Sequence, residues 1–230
     1  MSKIQFCIKN WHALAPGKAN QQDWLQEPTD AIPPPSDLIP PMMRRRMSSL
    51  SKMAVQTALS LTRGLRPDFV VFSSRHSELP RTVLLVEAIL KGEDASPMAF
   101  SQSVHNTASG LYTIAAGHAV PVTSVSAGED SLHAGLIEAA AYLACHPQHT
   151  VLLVDFDEPM PAPYDRFENQ PHQGYALGMV LSAGDDIQIT RLAATTLDPR
   201  PQALTVIHGL SQQLSDWTVN GRRHSWRWQR

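Results

Sequence analysis

Apolar positions along the chain follow two periods, one typical of strands and one typical of helices. Five segments carry strand patterns, either alternating or as short β-branched and apolar runs: residues 3–9, 69–72, 100–104, 122–126 and 150–156. Four segments have apolar residues at helical spacing: residues 41–64, 79–91, 105–117 and 129–145. The alternation of the two kinds predicts an α/β domain, in which the continuous apolar run at 69–72 is a parallel strand covered on both faces.

The second half of the chain predicts antiparallel pairing. Residues 175–182 and 187–192 have strand patterns on either side of Gly-Asp-Asp at 184–186, which predicts a hairpin. Asn-Gly at 220–221 lies between two β-rich runs and predicts a second hairpin at the C-terminus. We therefore expect a mixed sheet flanked by helices, with a C-terminal β-hairpin, in a single domain over residues 1–230.

Composition and charge narrow the functional classes. Of the 230 residues, 43% are hydrophobic and 17% are charged, which is typical of a globular chain and not of a disordered one. The formal net charge of −2 disfavours nucleic-acid binding, which usually needs a clearly basic face. The longest apolar stretch, residues 134–145, is interrupted by Glu138 and is shorter than the roughly 20 residues of a membrane helix, so no membrane span is expected.

Cysteine and histidine usage predicts no disulfide, no metal ion and no cofactor. Cys7 and Cys145 are the only cysteines, and they are far apart in the sequence. His146 and His149 have a weak H-x-x-H spacing without an accompanying carboxylate. The start of the chain lacks the pattern of an export signal, so the expected compartment is the reducing cytoplasm.

Two stretches resemble β-ketoacyl synthases: SPMAFSQSVHNTASG at residues 96–110 and VPVTSVSAGEDSLHAGLIEAAAYL at residues 120–143. Residues 44–59 and 70–90 resemble the helix, strand and helix that precede them in the same family. The resemblance covers most of the chain. It implies a thiolase-like α/β fold of which this chain is the N-terminal half.

The second stretch contains the turn on which active ketosynthases carry a nucleophilic cysteine. Alignment on Ser-Leu-His at residues 131–133 places Gly128 at that position. A cysteine needs this turn because a helix N-terminus lowers the pKa of a thiol and its free amide groups stabilise an oxyanion. Gly128 keeps the turn without the nucleophile, so the resemblance implies that the chain has no catalytic residue.

Two carboxylates, Glu129 and Asp130, follow in the first helical turn. Ser126 and Glu129 fit the S-x-x-E capping box, so helix capping is the simplest interpretation. A decarboxylase-like role for Glu129 is the alternative. A charged pair beside a thioester carbonyl would, however, oppose the negative charge that develops in acyl transfer.

Ketosynthases also use two histidines from a second structural half, which the resemblance does not extend to. The pair His208 and Gly209 is superficially similar to one of those histidine turns. It lies near the chain end and is followed by Leu210, so we expect it on the surface.

In lacking the nucleophile and the histidine half, the chain resembles chain-length-factor proteins. In its short length it resembles the ketosynthase-like subunits of aryl polyene clusters. This resemblance implies a non-catalytic subunit that forms a heterodimer with an active β-ketoacyl synthase and meets an acyl carrier protein transiently. In the family, a strand and loop matching residues 100–110 cross the dimer interface. The residues expected at the partner interface and acyl tunnel are Met98, Phe100, Ser101, Ser103, His105, Asn106 and Tyr112.

Cationic residues are concentrated at Arg44, Arg45 and Arg46, and again near the C-terminus. Because acyl carrier proteins are acidic, we expect the first cluster to guide a carrier protein to the heterodimer, an effect that salt would weaken.

A serine hydrolase is the alternative function. The string SVSAG around Ser126 misses the nucleophile elbow G-x-S-x-G by its first glycine. Asp155 or Asp157 followed by His172 or His208 gives the Ser-Asp-His order of α/β-hydrolases.

Overall fold

The structure is a computed structural model that describes residues 3–25, 32–194, 196 and 198–230. Within that part of the chain, a seven-stranded sheet contains β1 (Lys3–Leu14), β2 (Phe69–Ser73), β3 (Val122–Val125), β4 (Thr150–Asp157), β5 (Tyr175–Ala193), β6 (Asp216–Val219) and β7 (His224–Gln229). The α-helices are α1 (Pro41–Arg44), α2 (Ser49–Leu61), α3 (Leu79–Leu90), α4 (Pro97–Ser101), α5 (Thr107–Ala116), α6 (Ser131–Cys145) and α7 (Gln202–Ser211). No described helix is long and apolar enough to cross a membrane.

The sheet is mixed, as the sequence predicts. Strand β2 lies between β3 and β4 and is parallel to both. Strand β5 is antiparallel to β4 and β7 along one edge and to β1 along the other. Strands β6 and β7 form the expected antiparallel C-terminal hairpin. The strand order β3-β2-β4-β5-β7-β6 leaves β3 at an edge of the sheet.

Strand β5 corrects one expectation about the sheet. The hairpin predicted within residues 175–192 is wrong, because β5 continues through the whole segment. Its register against β1 skips residues 183–186, which bulge out of the ladder. Gly184 has a φ of 151°, and a Cβ at this position would overlap the Sγ of Cys7. Because the 12-residue strand β1 pairs on both sides of the bulge, the chain does not fold back at Gly-Asp-Asp.

Two hydrophobic cores lie on the two faces of the sheet. One joins the sheet to α6, α7 and the C-terminal hairpin and includes Leu136, Ile207 and Trp228. The other joins it to α2 and α5 and includes Leu50 and Tyr112. Helix α2 is fixed at its start by Ser48, whose side chain accepts a hydrogen bond from the main-chain N–H of Ser51 at 2.9 Å.

Residues 100–104 do not form the predicted strand. Residues 97–101 are helix α4 instead, and a turn leads from it to α5. Ser96 is the N-cap, with its hydroxyl accepting from the N–H of Ala99, and Pro97 occupies the first helical position. This start signal outweighs the short apolar-polar alternation that follows it, because an N-cap and a pre-set φ at Pro97 both favour the helix. The dimer-crossing strand implied by the resemblance is therefore not formed by residues 100–104.

Helix α7 contains the pair His208 and Gly209, and the sequence pattern did not predict this helix. His208 is exposed, as expected, and Gly209 is buried against the indole of Trp217. The pair is thus part of a packed helix and not of a histidine turn.

Replacing Gly209 by alanine is expected to destabilise the fold. A Cβ at this position would lie 2.7 Å from Nε1 of Trp217, a rigid ring held in the core, and overpacking of this kind costs about 1–3 kcal/mol. The matched control is Gly110→Ala on the exposed face of α5, where a Cβ meets no atom within 4 Å and the free energy of unfolding should rise by about 0.5–1 kcal/mol. Urea unfolding of both variants measures the difference, and equal stability of the two would contradict the packing argument.

Candidate functional site

The turn that follows β3 lies at the carboxyl end of the parallel strands. Residues Gly128–Asp130 form a single 3₁₀ turn, and α6 begins at Ser131. The hydroxyl of Ser131 accepts from the N–H of Ala127 at 3.0 Å and donates to the carbonyl of Gly128 at 2.7 Å. Gly128 has a φ of +64°, and a Cβ built on it meets no atom within 4 Å. The position that the resemblance assigns to a nucleophile is therefore a glycine that faces open space.

Ser126 does not have the environment of either predicted role. Its hydroxyl donates to the main-chain carbonyl of Arg75 at 3.0 Å, so it does not cap α6, and the capping box is wrong. None of the hydrogen bonds among the described residues joins Ser126 to a histidine. His172 is bonded through Nδ1 to the carbonyl of Gln170, and His208 lies on the exposed face of α7. The structure thus does not assemble the Ser-His-Asp relay that a serine hydrolase requires.

Glu129 forms tertiary ion pairs. Its carboxylate lies 2.9 Å from Nη1 of Arg222 and 3.6 Å from Nη2 of Arg75, and it accepts from Nδ2 of Asn169 at 3.0 Å. Burial alone would raise the pKa of Glu129, but the hydrogen bond from Asn169 and the two guanidinium groups lower it below its usual value. Glu129 is therefore an ionised structural partner, and its Oε1 makes all three contacts.

Arg75 joins this turn to the loop that follows β4. Its side chain is only 8% exposed. The guanidinium donates to the side-chain oxygens of Gln170 and Asn169, each at 3.2 Å, and it lies 3.6 Å from the carboxylate of Glu168. One buried cation thus holds residues 168–170 against the Gly128 turn.

Two buried aspartates, Asp155 and Asp157, lie at the end of β4. Asp155 accepts from the hydroxyl of Ser73 at 2.6 Å and from that of Tyr175 at 3.1 Å. Burial, and next the charge of Asp157, raise the pKa of Asp155 to about 7. Asp157 accepts from the main-chain N–H of Arg75 at 2.9 Å, and burial raises its pKa also.

The space between these aspartates and the turn is very small. Its volume is about 10 Å³, and it is lined by residues that include Gly128, Glu129, Asp155 and Tyr175. A volume of this size holds at most about one water molecule. The interior beneath the turn therefore has no room for an acyl chain.

A buried histidine joins the turn to the C-terminal hairpin. His133 donates from Nδ1 to the side-chain oxygen of Gln202 at 2.6 Å and accepts from the indole N–H of Trp228 at 3.1 Å. Gln202 in turn donates to Asp130 at 2.9 Å, and Trp226 stacks on the imidazole at 4.7 Å between ring centroids. Burial lowers the pKa of His133 to about 3, so the imidazole stays neutral, as this network requires. Asp130 stands at the N-cap position of α6, but its side chain makes no capping hydrogen bond and is held by tertiary contacts instead.

The residues predicted at the partner interface divide into three groups. Met98, Phe100, Ser101 and Asn106 are exposed, and Phe100 has 61% of its surface open to solvent.

Two of the remaining residues are half-buried and one is fully buried. Ser103 donates its hydroxyl to the carbonyl of Phe100, and His105 donates from Nε2 to the carbonyl of Ser74 at 3.0 Å. Tyr112 is fully buried beside Phe72 in the core, so the structure does not place it on the exposed face.

Helix α3 extends this exposed face, and the sequence did not identify it as a surface. None of its twelve residues is buried, and its apolar side chains include Leu84 at 65% exposure and Leu90 at 80%. At its base, Arg81 pairs with the buried carboxylate of Glu78 and Thr82 donates to the carbonyl of Ser103 at 2.8 Å. Helices α3 and α4 therefore form a projection that is anchored at its base and apolar along its length.

The predicted carrier-docking cluster is mostly exposed. Arg45 and Arg46 are open to solvent, whereas Arg44 is half-buried and donates to the carbonyl of Ser36 at 3.1 Å. No ion pair among the described residues includes any of the three arginines. In the same part of the chain, no three histidine, cysteine, aspartate or glutamate side chains lie close enough together to hold a metal ion.

Comparison with known proteins identifies relatives along nearly the whole chain. The family model "Beta-ketoacyl synthase, N-terminal domain" matches residues 17–229. No curated protein sequence matches significantly.

Solved structures give closer comparisons. A chain of the complex "Ketosynthase (ApeO) in Complex with its Chain Length Factor (ApeC)" from Xenorhabdus doucetiae is 32% identical, with a TM-score of 0.89 over 99% of this chain and 100% of that chain. The ishigamide ketosynthase/chain length factor is 14% identical, with a TM-score of 0.62 over 82% of this chain and 66% of that one. A β-ketoacyl synthase from Burkholderia phymatum STM815 is 12% identical, with a TM-score of 0.61 over 92% and 71%. The last two share the fold alone, and the expected thiolase-like α/β fold is confirmed.

Asp155 is expected to make the stability of the chain depend on pH. The folded state keeps the proton of Asp155 to about pH 7, whereas an ordinary aspartate releases it at 3.8, so stability falls as the pH rises between these values. The slope due to one group is at most about 1.4 kcal/mol per pH unit. Asp155→Asn should therefore flatten the fall in the free energy of unfolding between about pH 4 and pH 7.

Urea unfolding at each pH unit checks this expectation. Glu158, whose pKa is raised to about 7 by burial and then by the charges of Glu78 and Asp157, remains in the variant, so a smaller slope should persist. Asp186→Asn, which removes an exposed carboxylate, is the control and should keep the wild-type slope. An unchanged slope in Asp155→Asn would contradict the assignment.

Proposed function

The chain belongs to the β-ketoacyl synthase family, N-terminal domain, and from this premise we propose that it is a non-catalytic, chain-length-factor-like subunit of an active β-ketoacyl synthase. The proposal depends on Gly128, the residue that the resemblance aligns with the nucleophilic cysteine of active members. Neither cysteine of the chain replaces it, since Cys7 is buried in β1 and Cys145 ends α6, at the far end of that helix from the turn. In this proposal the partner supplies the nucleophile and the histidines.

The electrostatics of the turn support a structural role. A nucleophile's turn would offer amide groups to a developing oxyanion. Here an ionised Glu129 stands next to Gly128, and its charge would oppose the negative charge of an acyl-transfer intermediate. The ion pairs of Glu129 with Arg75 and Arg222 hold it there, so the carboxylate is part of the scaffold of the turn.

The projection formed by α3 and α4 supports a protein partner. Leu84, Leu90, Met98 and Phe100 are each more than half exposed, and contiguous apolar surface of this kind marks interaction sites. Strand β3 lies at a sheet edge and pairs only with β2 among the described strands, which leaves an edge that a partner can cover. In the strand order, β3 is at the opposite end from β6 of the C-terminal hairpin.

The Xenorhabdus relative supports the choice of partner. The match covers that chain and this chain almost end to end, so the two are of similar length, and that chain was solved in a complex of a ketosynthase with its chain length factor. This similarity supports a role in aryl polyene, polyketide or fatty-acid-like biosynthesis, where the proposed subunit would bound the pocket of the growing acyl chain or stabilise its mate.

The partner proposal predicts a 1:1 complex with a full-length ketosynthase. Native mass spectrometry of the tagged chain purified from its own host should detect it. Phe100→Asp and Leu90→Asp should each weaken the complex by about a hundredfold or more, because a charge is then buried in an apolar contact. Both side chains are exposed in the chain itself, so circular dichroism should show an unchanged fold.

Leu214→Asp is the matched control, since Leu214 is an exposed leucine between α7 and β6, at the other end of the sheet order from β3. This variant should keep the complex. A chain that is monomeric in its host would refute the proposal. Acylation of the isolated chain by a thioester substrate would refute its non-catalytic part.

The carrier-docking role of the arginine cluster is a separate prediction. Arg45→Glu together with Arg46→Glu should weaken binding of an acyl carrier protein to the heterodimer by roughly tenfold at low salt and less at high salt, because an acidic partner is attracted by exposed cations. Arg63→Glu with Arg66→Glu reverses the same charge at two other exposed arginines and should have little effect. Surface plasmon resonance at two salt concentrations distinguishes the pairs, and an equal loss in both would exclude specific docking at residues 45 and 46.

A further inference from the structure

An open groove lies at the amino ends of the parallel strands β2 and β3. Its volume is about 440 Å³, and it is formed by the end of α2 and the loop that leads to β2, by the end of α5 and the loop that leads to β3, and by Leu38. The Gly128 turn, in contrast, follows the carboxyl end of β3. The groove is therefore at the opposite end of the parallel strands from that turn, and the two share no lining residue.

Two cations of the groove lie in the loop after α2. Arg63 and Arg66 are both exposed, and their side chains form no hydrogen bond or ion pair with another described residue. Gly64, which has a φ of +75°, turns the chain between them. Among the described residues that line the groove, none is an aspartate or a glutamate. Because a guanidinium pairs with phosphate through two parallel N–H bonds, this wall suits a phosphorylated ligand.

His118 supplies a fixed acceptor on the opposite wall. Its Nδ1 donates to the carbonyl of Ala116 at 3.1 Å, and its ring meets that of Tyr112 edge to face, with 6.4 Å between the centroids. Since a carbonyl can only accept, Nδ1 carries the proton and Nε2 of the neutral ring has a free lone pair. Nε2 is buried and has no hydrogen-bond partner among the described residues. Buried polar atoms usually have a partner, so this atom favours a ligand that offers an N–H or O–H group.

The remaining walls of the groove are aliphatic. The side chains that form them are Leu38, Leu59, Leu65, Ala115 and Ala116. Such walls would leave the hydroxyl groups of a sugar or polyol without partners, whereas the flat faces of a heterocyclic base need none. The volume is within the range of about 300–1,000 Å³ that is usual for small-molecule sites.

The polar groups of the lining select among the bases. The hydroxyl of Thr62 already donates to the carbonyl of Ala58 at 2.9 Å, so the uncharged side chains offer the edge of a base an acceptor, Nε2 of His118, and no donor. Adenine has an amino group and no carbonyl oxygen at its edge. It is therefore the base that this arrangement satisfies best.

We propose that this groove binds an adenine nucleotide: the phosphates pair with Arg63 and Arg66, the base packs against the aliphatic walls, and its amino group donates to Nε2 of His118. The ribose stays on the open side of the groove, in water. The inference goes beyond the proposed subunit role and rests on the groove alone.

Calorimetric titration of the full chain with ADP, without divalent cations, tests the proposal directly and should show saturable 1:1 binding. IDP, in which a carbonyl oxygen replaces the amino group of the base, should bind about fivefold more weakly, because two acceptors then face each other. Pyrophosphate, which lacks the base, should bind about tenfold more weakly or less. Leucine-methyl NMR locates the ligand: shifts should appear at Leu38, Leu59 and Leu65, and not at the exposed Leu90 and Leu214.

Two pairs of exposed arginines provide matched variants. Arg63→Gln with Arg66→Gln should weaken the binding of ADP and of IDP alike, by about tenfold, since two exposed ion pairs of modest strength are lost. Arg166→Gln with Arg191→Gln removes the same charge outside the groove and should leave the affinity unchanged.

The role of His118 has its own variant. In His118→Asn, the side-chain amide can still donate to the carbonyl of Ala116, but the acceptor Nε2 is gone. The preference for ADP over IDP should therefore fall to less than about twofold. A general loss of folding would weaken both ligands together and would not change their ratio.

Several outcomes would overturn the proposal. Pyrophosphate that binds as tightly as ADP would reduce the groove to a patch that attracts anions. Equal affinity for ADP and IDP would remove the role of His118 and with it the choice of adenine. Absence of saturable ADP binding, or an equal loss in both arginine pairs, would exclude the site altogether. Each of these results leaves the proposed subunit role as it stands, because that proposal uses none of the groove's residues.

Discussion

Strand β5 is the constraint on which the rest of the structure depends. It runs for 19 residues, with β1 along one edge and first β4, then β7, along the other. Its side chains alternate between the two cores: Leu177, Met179 and Leu181 lie in one, and Ala176 and Val180 in the other. A slip of one residue would exchange these sets, so the two buried faces fix the register. The register in turn fixes where β4 ends, and thus where the polar groups at its end are placed.

The polar groups at the strand ends, placed by that register, hold the Gly128 turn in position. Asp155 is held by Ser73 from the neighbouring parallel strand, and Asp157 fixes the main chain at Arg75. Arg75 then reaches both Glu129 and the loop after β4. Each of these side chains makes at least one polar contact with another group of the same chain, and the remaining space holds at most about one water. This end of the sheet is a polar scaffold beneath the open Gly128 turn.

The sequence predicts those features that local patterns determine. Asn-Gly at 220–221 gave the C-terminal hairpin, and apolar periodicity gave the strands and long helices of the α/β fold. The serine and proline at 96–97 are helix-start signals in the sequence. They outweigh the five-residue alternation at 100–104, which alone predicts a strand, so that segment forms no strand. Contacts between residues that are distant in the sequence cannot be predicted from such local patterns. The bulge at 183–186 exists because β1 pairs on both sides of it, and the bond between His133 and Trp228 joins residues 95 apart. The exposure of α3 could not be predicted from the sequence either, because apolar residues at helical spacing do not show which face of a helix stays uncovered.

The uncovered face of α3 and α4 is an apolar surface that the chain itself does not bury. Glu78 and Arg81 anchor the base of the projection, yet the chain buries none of the residues of α3. Leu90 and Phe100, which are 80% and 61% exposed, therefore contribute little to the stability of the isolated chain, and exposed apolar surface favours aggregation. Such a surface is useful only where a partner covers it, because binding to the folded state alone adds the free energy of association to its stability. The proposed lack of a nucleophile at Gly128 is compatible with the presence of this face, since the two lie on different elements and a binding face does not need catalytic chemistry.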